Sequence, residues 1–265
     1  MRCPDQSSRQ AFLKIGIHNY MKWGYEGGAD GKPLAPIFLS EESHCHALIT
    51  GGSGSGKSYA VLFLLGMILK SCPDIDIYFC DFKNSLDFSF LMGYPHYFAG
   101  DNVYEGVLAY YNSFCDARRN RRSNRRHLLI FDEYPAFVNY LNTIDKRDKS
   151  KKASDVLGSI AEVLMLGRGI GYGVWIVTQR PDASLFSLGA RDNLMIVVGL
   201  GRMSKEQKAM VFTGEEIPDR IFGRGEGMLL ADGYPIKQVK YPCIRNIYEW
   251  KQHIKLVLMK HRFDG

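Results

Sequence analysis

Gly51-Gly52-Ser53-Gly54-Ser55-Gly56-Lys57-Ser58 decides the fold of this chain. The segment satisfies G-x-x-x-x-G-K-[ST], follows the apolar run Ala47–Thr50 and opens an apolar helical pattern over Lys57–Ser71. Glycines let a backbone curl until its N–H groups and a helix N-terminus face a phosphate. Lys57 is then placed to reach the β- and γ-phosphates, and the Ser58 hydroxyl to ligate Mg²⁺. A plain Gly/Ser turn leaves Lys-Ser at those positions unexplained. Gly51, Gly52, Ser53, Gly54, Ser55, Gly56, Lys57, Ser58 and Tyr59 are therefore the candidate nucleotide-binding residues.

Outward from this loop, short β-rich runs alternate with helical patterns, as in a parallel α/β sheet. Strands are predicted over Ala35–Leu39, Ala47–Thr50, Ile75–Cys80, Leu128–Asp132, Val174–Gln179, Leu194–Gly199, Gly227–Ala231 and Ile236–Lys240. Helices are predicted over Lys57–Ser71, Val103–Arg119, Pro135–Leu141, Ser154–Leu166, Lys205–Phe212 and Ile247–His261. The central strands are continuous apolar runs, which implies helices on both faces. The expected organisation is an N-terminal appendage over 1–33, one α/β domain over 34–245 and a C-terminal helix over 246–265.

A second chemical element is His127-Leu128-Leu129-Ile130-Phe131-Asp132-Glu133. Two carboxylates ending an apolar strand belong at the carboxyl edge, where α/β sheets bind ligands. Asp132 suits a Walker B role in holding Mg²⁺, and Glu133 is placed to orient and deprotonate an attacking water. The pair favours hydrolysis over phosphotransfer to a small molecule, and no Asn-Lys-x-Asp follows to suggest a GTPase. Ile75–Cys80 lies between the two motifs in sequence, so their strands need not be neighbours. Gln179, ending a later strand, is a candidate sensor of the γ-phosphate or the lytic water; capping the turn before Pro181 is its competing role.

Charge is unevenly placed. The 265 residues carry +6, yet Arg118–Arg126 alone contributes +6 and Asp145–Lys152 a further +3, leaving the remainder at −3. Two basic segments on a nearly neutral body point to local contact with a polyanion. No base-reading helix accompanies them, so contact is expected with a nucleic-acid backbone and is expected to be salt-sensitive. The candidate contacts are Lys146, Arg147, Lys149, Lys151 and Lys152 in a loop after the short helix 135–141, and Arg121, Arg122 and Arg125.

The first ten residues have no apolar core of the secretory kind. The longest apolar stretch, Tyr59–Leu69, spans eleven residues, short of the roughly 20 a spanning helix needs. No intrinsic membrane span is expected. The six cysteines are scattered without Cys-x-x-Cys, which reads as reduced thiols in a cytoplasmic protein. His44-Cys45-His46 has no third cluster and reads as strand-edge packing. Tyr20-Met21-Lys22-Trp23-Gly24-Tyr25 reads as a hydrophobic anchor or a stacking surface for a base.

Gly51–Ser58, Asp81-Phe82-Lys83, Leu129–Tyr134, Leu166-Gly167-Arg168 and Thr178-Gln179-Arg180-Pro181-Asp182 together resemble the FtsK/SpoIIIE branch of the FtsK–HerA motor ATPases. Ile130-Phe131-Asp132-Glu133-Tyr134 and Leu200-Gly201-Arg202-Met203-Ser204 most resemble FtsK-type coupling proteins of Gram-positive conjugative elements. The resemblance covers about Leu34 to Lys240. It implies a RecA-like P-loop NTPase of the ASCE type, with a central mostly parallel sheet and helices on both faces. It also implies a homo-oligomeric ring, usually a hexamer, that threads double-stranded DNA using ATP and Mg²⁺. Such rings need a cation from the next subunit at the transferring phosphoryl group. Arg168, in Gly167-Arg168-Gly169-Ile170-Gly171, is the candidate, with Arg202 and Arg224 in reserve.

The expected function is Mg-ATP-dependent translocation of double-stranded DNA during conjugative transfer of a mobile element, with a relaxase or membrane-channel protein as partner. Any membrane association would run through that partner. Alternatives are a viral genome-packaging ATPase, a secretion ATPase of the same branch, and a non-translocating ATP-bound scaffold for a DNA-processing complex. Glu133 argues against the scaffold, which has no need of a lytic base.

Overall fold

The apolar runs assemble into a single ten-stranded sheet in the computed structural model, which describes residues 20–27, 35–120, 125–181, 192–218 and 220–260. In chain order the elements are β1 (Tyr20–Glu26), β2 (Pro36–Ser40), β3 (Ala47–Gly51), α1 (Lys57–Ser71), β4 (Asp76–Asp81) and β5 (Tyr97–Ala99). Then follow α2 (Val103–Asn120), β6 (His127–Asp132), α3 (Tyr134–Asp148), α4 (Lys152–Leu166), β7 (Tyr172–Thr178) and β8 (Ile196–Leu200). The last are α5 (Lys205–Val211), β9 (Glu226–Ala231), β10 (Tyr234–Lys240) and α6 (Ile247–Lys260). The spatial order is β2-β1-β10-β9-β8-β3-β7-β6-β4-β5. Strands β8, β3, β7, β6, β4 and β5 run parallel, and β9, β10, β1 and β2 form an antiparallel wing.

The strand inserted between the P-loop strand β3 and the Walker B strand β6 is β7, while β4 lies beyond β6. Pairing order follows crossovers and not sequence order, so Ile75–Cys80 does not separate the two. The register sets Asp81 beside Asp132 and Thr50 beside Thr178, which brings the polar ends of four strands to one edge.

Helix α1 explains the wing. It is apolar on nearly every side, and such a helix must be covered all round. Ala60, Val61, Leu64 and Leu65 are wholly buried. The sheet curls over α1, so that Trp23 of β1 meets Trp175 of β7 edge to face, ring centroids 5.0 Å apart. Five strand steps separate those strands, a spacing of roughly 24 Å in a flat sheet. Residues 20–26, expected in a separate appendage, are thus part of the same sheet. Helix α6 closes the last side. Trp250 stacks on Phe63 and donates its indole N–H to the Leu62 carbonyl at 3.0 Å. Gly66 permits this, because a Cβ there would collide with the Trp250 ring. Helices α2, α3 and α4 cover the opposite face in a second core built on Tyr110, Phe114, Phe131 and Phe137.

Helix α3 runs to Asp148, beyond the end expected at Leu141, so most of 145–152 is not a loop. The Asp145 carboxylate accepts from the Ser150 hydroxyl and from the backbone N–H groups of Lys152 and Ala153, at 2.5, 3.0 and 2.8 Å. It caps α4, and the basic run becomes a tight turn between helices. If β1 belongs to this core, Trp23→Ala should cost about 3–5 kcal/mol in urea unfolding. Tyr20→Ala, at an exposed position of the same strand, should change stability by less than about 0.5 kcal/mol.

Candidate nucleotide-binding site

The loop after β3 is shaped by two glycines that no other residue replaces easily. Gly51 has φ 157°, and a Cβ there would lie 2.5 Å from the Leu200 carbonyl oxygen. Gly56 caps α1 at φ 95°, where a Cβ would lie 2.7 Å from the Gly225 nitrogen. The loop therefore fits between α1, β8 and the turn before β9, and the N–H groups opening α1 are left facing a cavity. The Lys57 ammonium folds back onto the loop, donating to the carbonyls of Gly51 at 2.5 Å and Gly52 at 3.3 Å. Burial lowers the Lys57 pKa, with the charges of Glu133 and Asp132 opposing the shift.

The cavity measures about 350 Å³. Gly52, Ser53, Gly54, Gly56, Lys57, Ser58, Tyr59, Asp132, Glu133 and Gln179 line it together. Gly51 and Ser55 complete the loop from behind. Lys83, from the Asp-x-Lys segment, and Arg224, the reserve candidate for the trans arginine, also line it, together with residues not anticipated, among them Ser85, Asp87, Ile247 and Lys251. Glu133 is held in the left-handed region at φ 60°, ψ 40° as the N-cap of α3. Such strain in a non-glycine residue concentrates at functional sites. Lys83 donates to the Glu133 carboxylate at 2.7 Å, an ion pair between residues 50 positions apart. The Asp-x-Lys after β4 was the available signal for it.

Three carboxylates crowd this edge. Asp81 is fully buried and accepts from the Ser85 N–H at 2.9 Å and the Tyr97 hydroxyl at 3.0 Å, all on Oδ2. Its Oδ1 has no hydrogen-bond partner among the described residues, and burial raises its pKa. Burial first, then the charges of Glu133 and Asp81, pushes Asp132 up to about 7. Buried carboxylate oxygen in the cavity that Ser58 also lines is a hard-donor set that fits Mg²⁺. That ion is commonly held by one or two carboxylates, with phosphates and waters completing its shell.

The other predicted residues lie elsewhere. Arg168 sits in the turn Gly167–Ile170 before β7, at the amino edge of the sheet. The length of β7 puts it roughly 20 Å from the carboxylates of its own chain. It lines a second cavity of about 640 Å³, together with Arg125, Arg126, Trp23 and Trp175. The described ends of the Arg118–Arg126 run, residues 118–120 closing α2 and Arg125 and Arg126 leading into β6, are therefore at the edge opposite the P-loop, away from the 145–152 segment. The run precedes β6, whereas 145–152 follows it. Arg121, Arg122 and Asp182 lie outside the described residues. The 145–152 turn stays on the carboxyl side, where the Lys152 ammonium lies 5.1 Å from the centre of the Tyr104 ring. Lys146, Arg147, Lys149 and Lys151 are exposed there. Arg147 pairs with Asp148 at 2.7 Å, an exposed contact of little energetic weight.

His44 donates from Nε2 to the Asp232 carbonyl at 2.9 Å. His46 accepts the Val174 N–H at 3.1 Å, with burial and the Arg168 charge lowering its pKa to about 4. Both are packing residues. Among the described residues no helix is long and apolar enough to cross a membrane.

A P-loop strand, an inserted β7, a Walker B strand ending Asp132-Glu133 and helices on both faces define a RecA-like P-loop NTPase of the ASCE type. The chain is similar to the FtsK domain-containing protein YdcQ of Bacillus subtilis strain 168, with 28% identity over 239 residues. That match takes in 81% of this chain and 46% of YdcQ, so the chain spans about half the length of this curated relative. Its fold is similar to the monomer form of the pCW3 conjugation coupling protein TcpA with ATPγS, at TM-score 0.68 and 18% identity. The superposition covers 93% of this chain and 71% of TcpA. EssC ATPases 2 and 3 of Geobacillus thermodenitrificans give TM-score 0.64 and 16% identity, over 92% of this chain and 49% of theirs. No family model matches the chain. The resemblance to FtsK-type ATPases thus extends from motifs to sequence and fold.

The protonation of Asp132 gives a pH signature. In the fold it keeps its proton to about pH 7, against 3.8 for the ordinary carboxyl. The native state then binds the extra proton across that interval, so stability falls as pH rises through it. Asp132→Asn removes this contribution. Thermal melts of the ligand-free protein from pH 5 to 7.5 should show Tm falling less in the variant than in the parent. Parallel declines would count against a raised Asp132.

Proposed function

We propose that this chain is an Mg-ATP-hydrolysing, FtsK-type motor that moves double-stranded DNA during conjugative transfer of a mobile element. The observation that carries the reading is the single cavity in which Lys57, Asp132, the Lys83-held Glu133 and Gln179 converge. Similarity to an FtsK domain-containing protein and to a conjugation coupling protein supports the choice of branch. Working on the cytoplasmic side, the chain would meet a relaxase or a membrane-channel protein.

The N–H groups of the P-loop and of the first turn of α1 bind phosphate oxygens. Lys57 exchanges the Gly51 and Gly52 carbonyls for the β- and γ-phosphates, regaining charge partners in a buried place. Ser58 and Asp132 would hold Mg²⁺, which supplies neutralisation of phosphate charge when bound. Gln179 aligns a water, and the Glu133 carboxylate takes its proton as the water oxygen bonds to the γ-phosphorus. The bond from that phosphorus to the β,γ-bridging oxygen breaks, leaving ADP and inorganic phosphate. Lys83 fixes the Glu133 carboxylate before the water arrives. Arg168 cannot reach this site within its own chain, so its role is at the site of the next subunit in a ring, for which a hexamer is the working size.

Phosphate release with linear duplex DNA present tests the reading. Glu133→Gln should lower turnover by about a hundredfold or more while ATP-analogue binding persists. Turnover indifferent to both DNA and Glu133→Gln would sink the motor. Replacing Lys146, Arg147, Lys149, Lys151 and Lys152 by Ala should weaken duplex binding. The slope of log K against log salt should then flatten by about 0.9 for each DNA phosphate that is no longer neutralised. Unchanged affinity and slope would remove the turn from the DNA interface.

A further inference from the structure

The Gly223–Gly227 segment carries a cation to the P-loop. The Gly225 N–H donates to the Ser55 carbonyl at 2.8 Å, and the Gly225 carbonyl accepts from the Tyr241 N–H at 2.9 Å. The Glu226 N–H closes the turn on the Gly223 carbonyl at 3.1 Å, and the Glu226 carbonyl accepts from the Gly201 N–H at 2.9 Å. These main-chain bonds fix the turn between β10, the end of β8 and the loop itself. The arm of Arg224 crosses the start of α1, its Cγ 3.3 Å from where a Cβ on Gly56 would stand. Arg224 lines the same cavity as Lys57.

Its guanidinium has no carboxylate partner among the described residues, unlike Arg118, Arg126 and Arg147, each of which pairs with one. The nearest acid in sequence, Glu226, is engaged by the Lys240 ammonium at 2.7 Å. A planar fork of donors, held by rigid backbone at a helix N-terminus, suits two phosphate oxygens at once.

We propose that Arg224 binds nucleotide phosphate in cis, forming with Lys57 a two-cation clamp on the P-loop of its own chain. This rests on the nucleotide reading of the cavity, and it separates Arg224 from Arg168, whose place at the far edge requires a second subunit. In the clamp, Lys57 supplies a point charge from inside the loop. Arg224 supplies a bidentate contact from outside it, so that both sides of the phosphate chain are covered.

Equilibrium binding of a fluorescent ATP analogue with Mg²⁺ to the full chain tests this. Arg224→Gln should weaken binding by about ten- to a hundredfold, and Arg224→Lys should lose clearly less. Lys57→Ala is the reference. If it leaves affinity unchanged, the nucleotide reading itself fails. If it weakens binding while Arg224→Gln binds like the parent, the reading stands and the clamp is overturned. Equal losses in Arg224→Lys and Arg224→Gln would also overturn it, since a turn that merely misfolds ignores the retained charge. Mixed subunits give the second measurement. Arg224→Gln mixed with Lys57→Ala should turn over no faster than the two proteins assayed apart. Arg168→Ala mixed with Lys57→Ala should recover part of the activity. Recovery in the Arg224 mixture would place that residue in trans and refute the clamp.

Discussion

Everything in this structure follows from the need to cover α1. A helix that is apolar round most of its circumference cannot lie on a sheet like a half-buried surface helix, because its outer side would meet water. The curled antiparallel wing, the Trp23–Trp175 contact and the docking of α6 through Trp250 are the solution. The consequence for chemistry is rigidity at one end. The P-loop is the N-terminal continuation of the most enclosed helix among the described residues, and its backbone donors are aimed by packing that reaches from Met21 to Met259.

Against that rigid frame, the carboxyl edge is electrostatically uneasy. Asp81 and Asp132 are neighbours by strand register, and Glu133 follows at once in a left-handed conformation. Lys57 and Lys83 balance part of this charge, one turned onto its own loop and the other paired with Glu133. The site is thus set with these two lysines committed to internal partners, and a polyphosphate offers Lys57 a better one. A bound nucleotide would release that ammonium from loop carbonyls without disturbing the Lys83–Glu133 pair.

How much of this the sequence disclosed depends on the range of the interactions. The P-loop and the Walker B strand were legible because each is a contiguous pattern whose chemistry is local. β7 as the inserted strand was not, because strand order is fixed by crossovers between distant segments. β1 escaped notice because Gly24 and a register shift between Lys22 and Gly24 break its alternation, and β5 because it has only three residues. The 145–152 run looked like a loop because its order comes from one carboxylate, Asp145, reaching backbone up to eight positions away. Lys83 was visible only through the resemblance of Asp81-Phe82-Lys83, and Arg224 only as a reserve for the trans arginine. Their placement at the cavity needed the fold.

On the proposal that Arg168 acts on a neighbouring copy, its place at the amino edge constrains the assembly. If a donor at the amino edge serves an acceptor at the carboxyl edge of another copy, the contact closes either reciprocally, as a two-fold pair, or head-to-tail, as a ring. In the head-to-tail case a finite open row keeps one site without its arginine and one arginine without a site. Only closure makes every copy equivalent. Stoichiometry then acts as a catalytic variable, because each added copy completes one site and the last completes two.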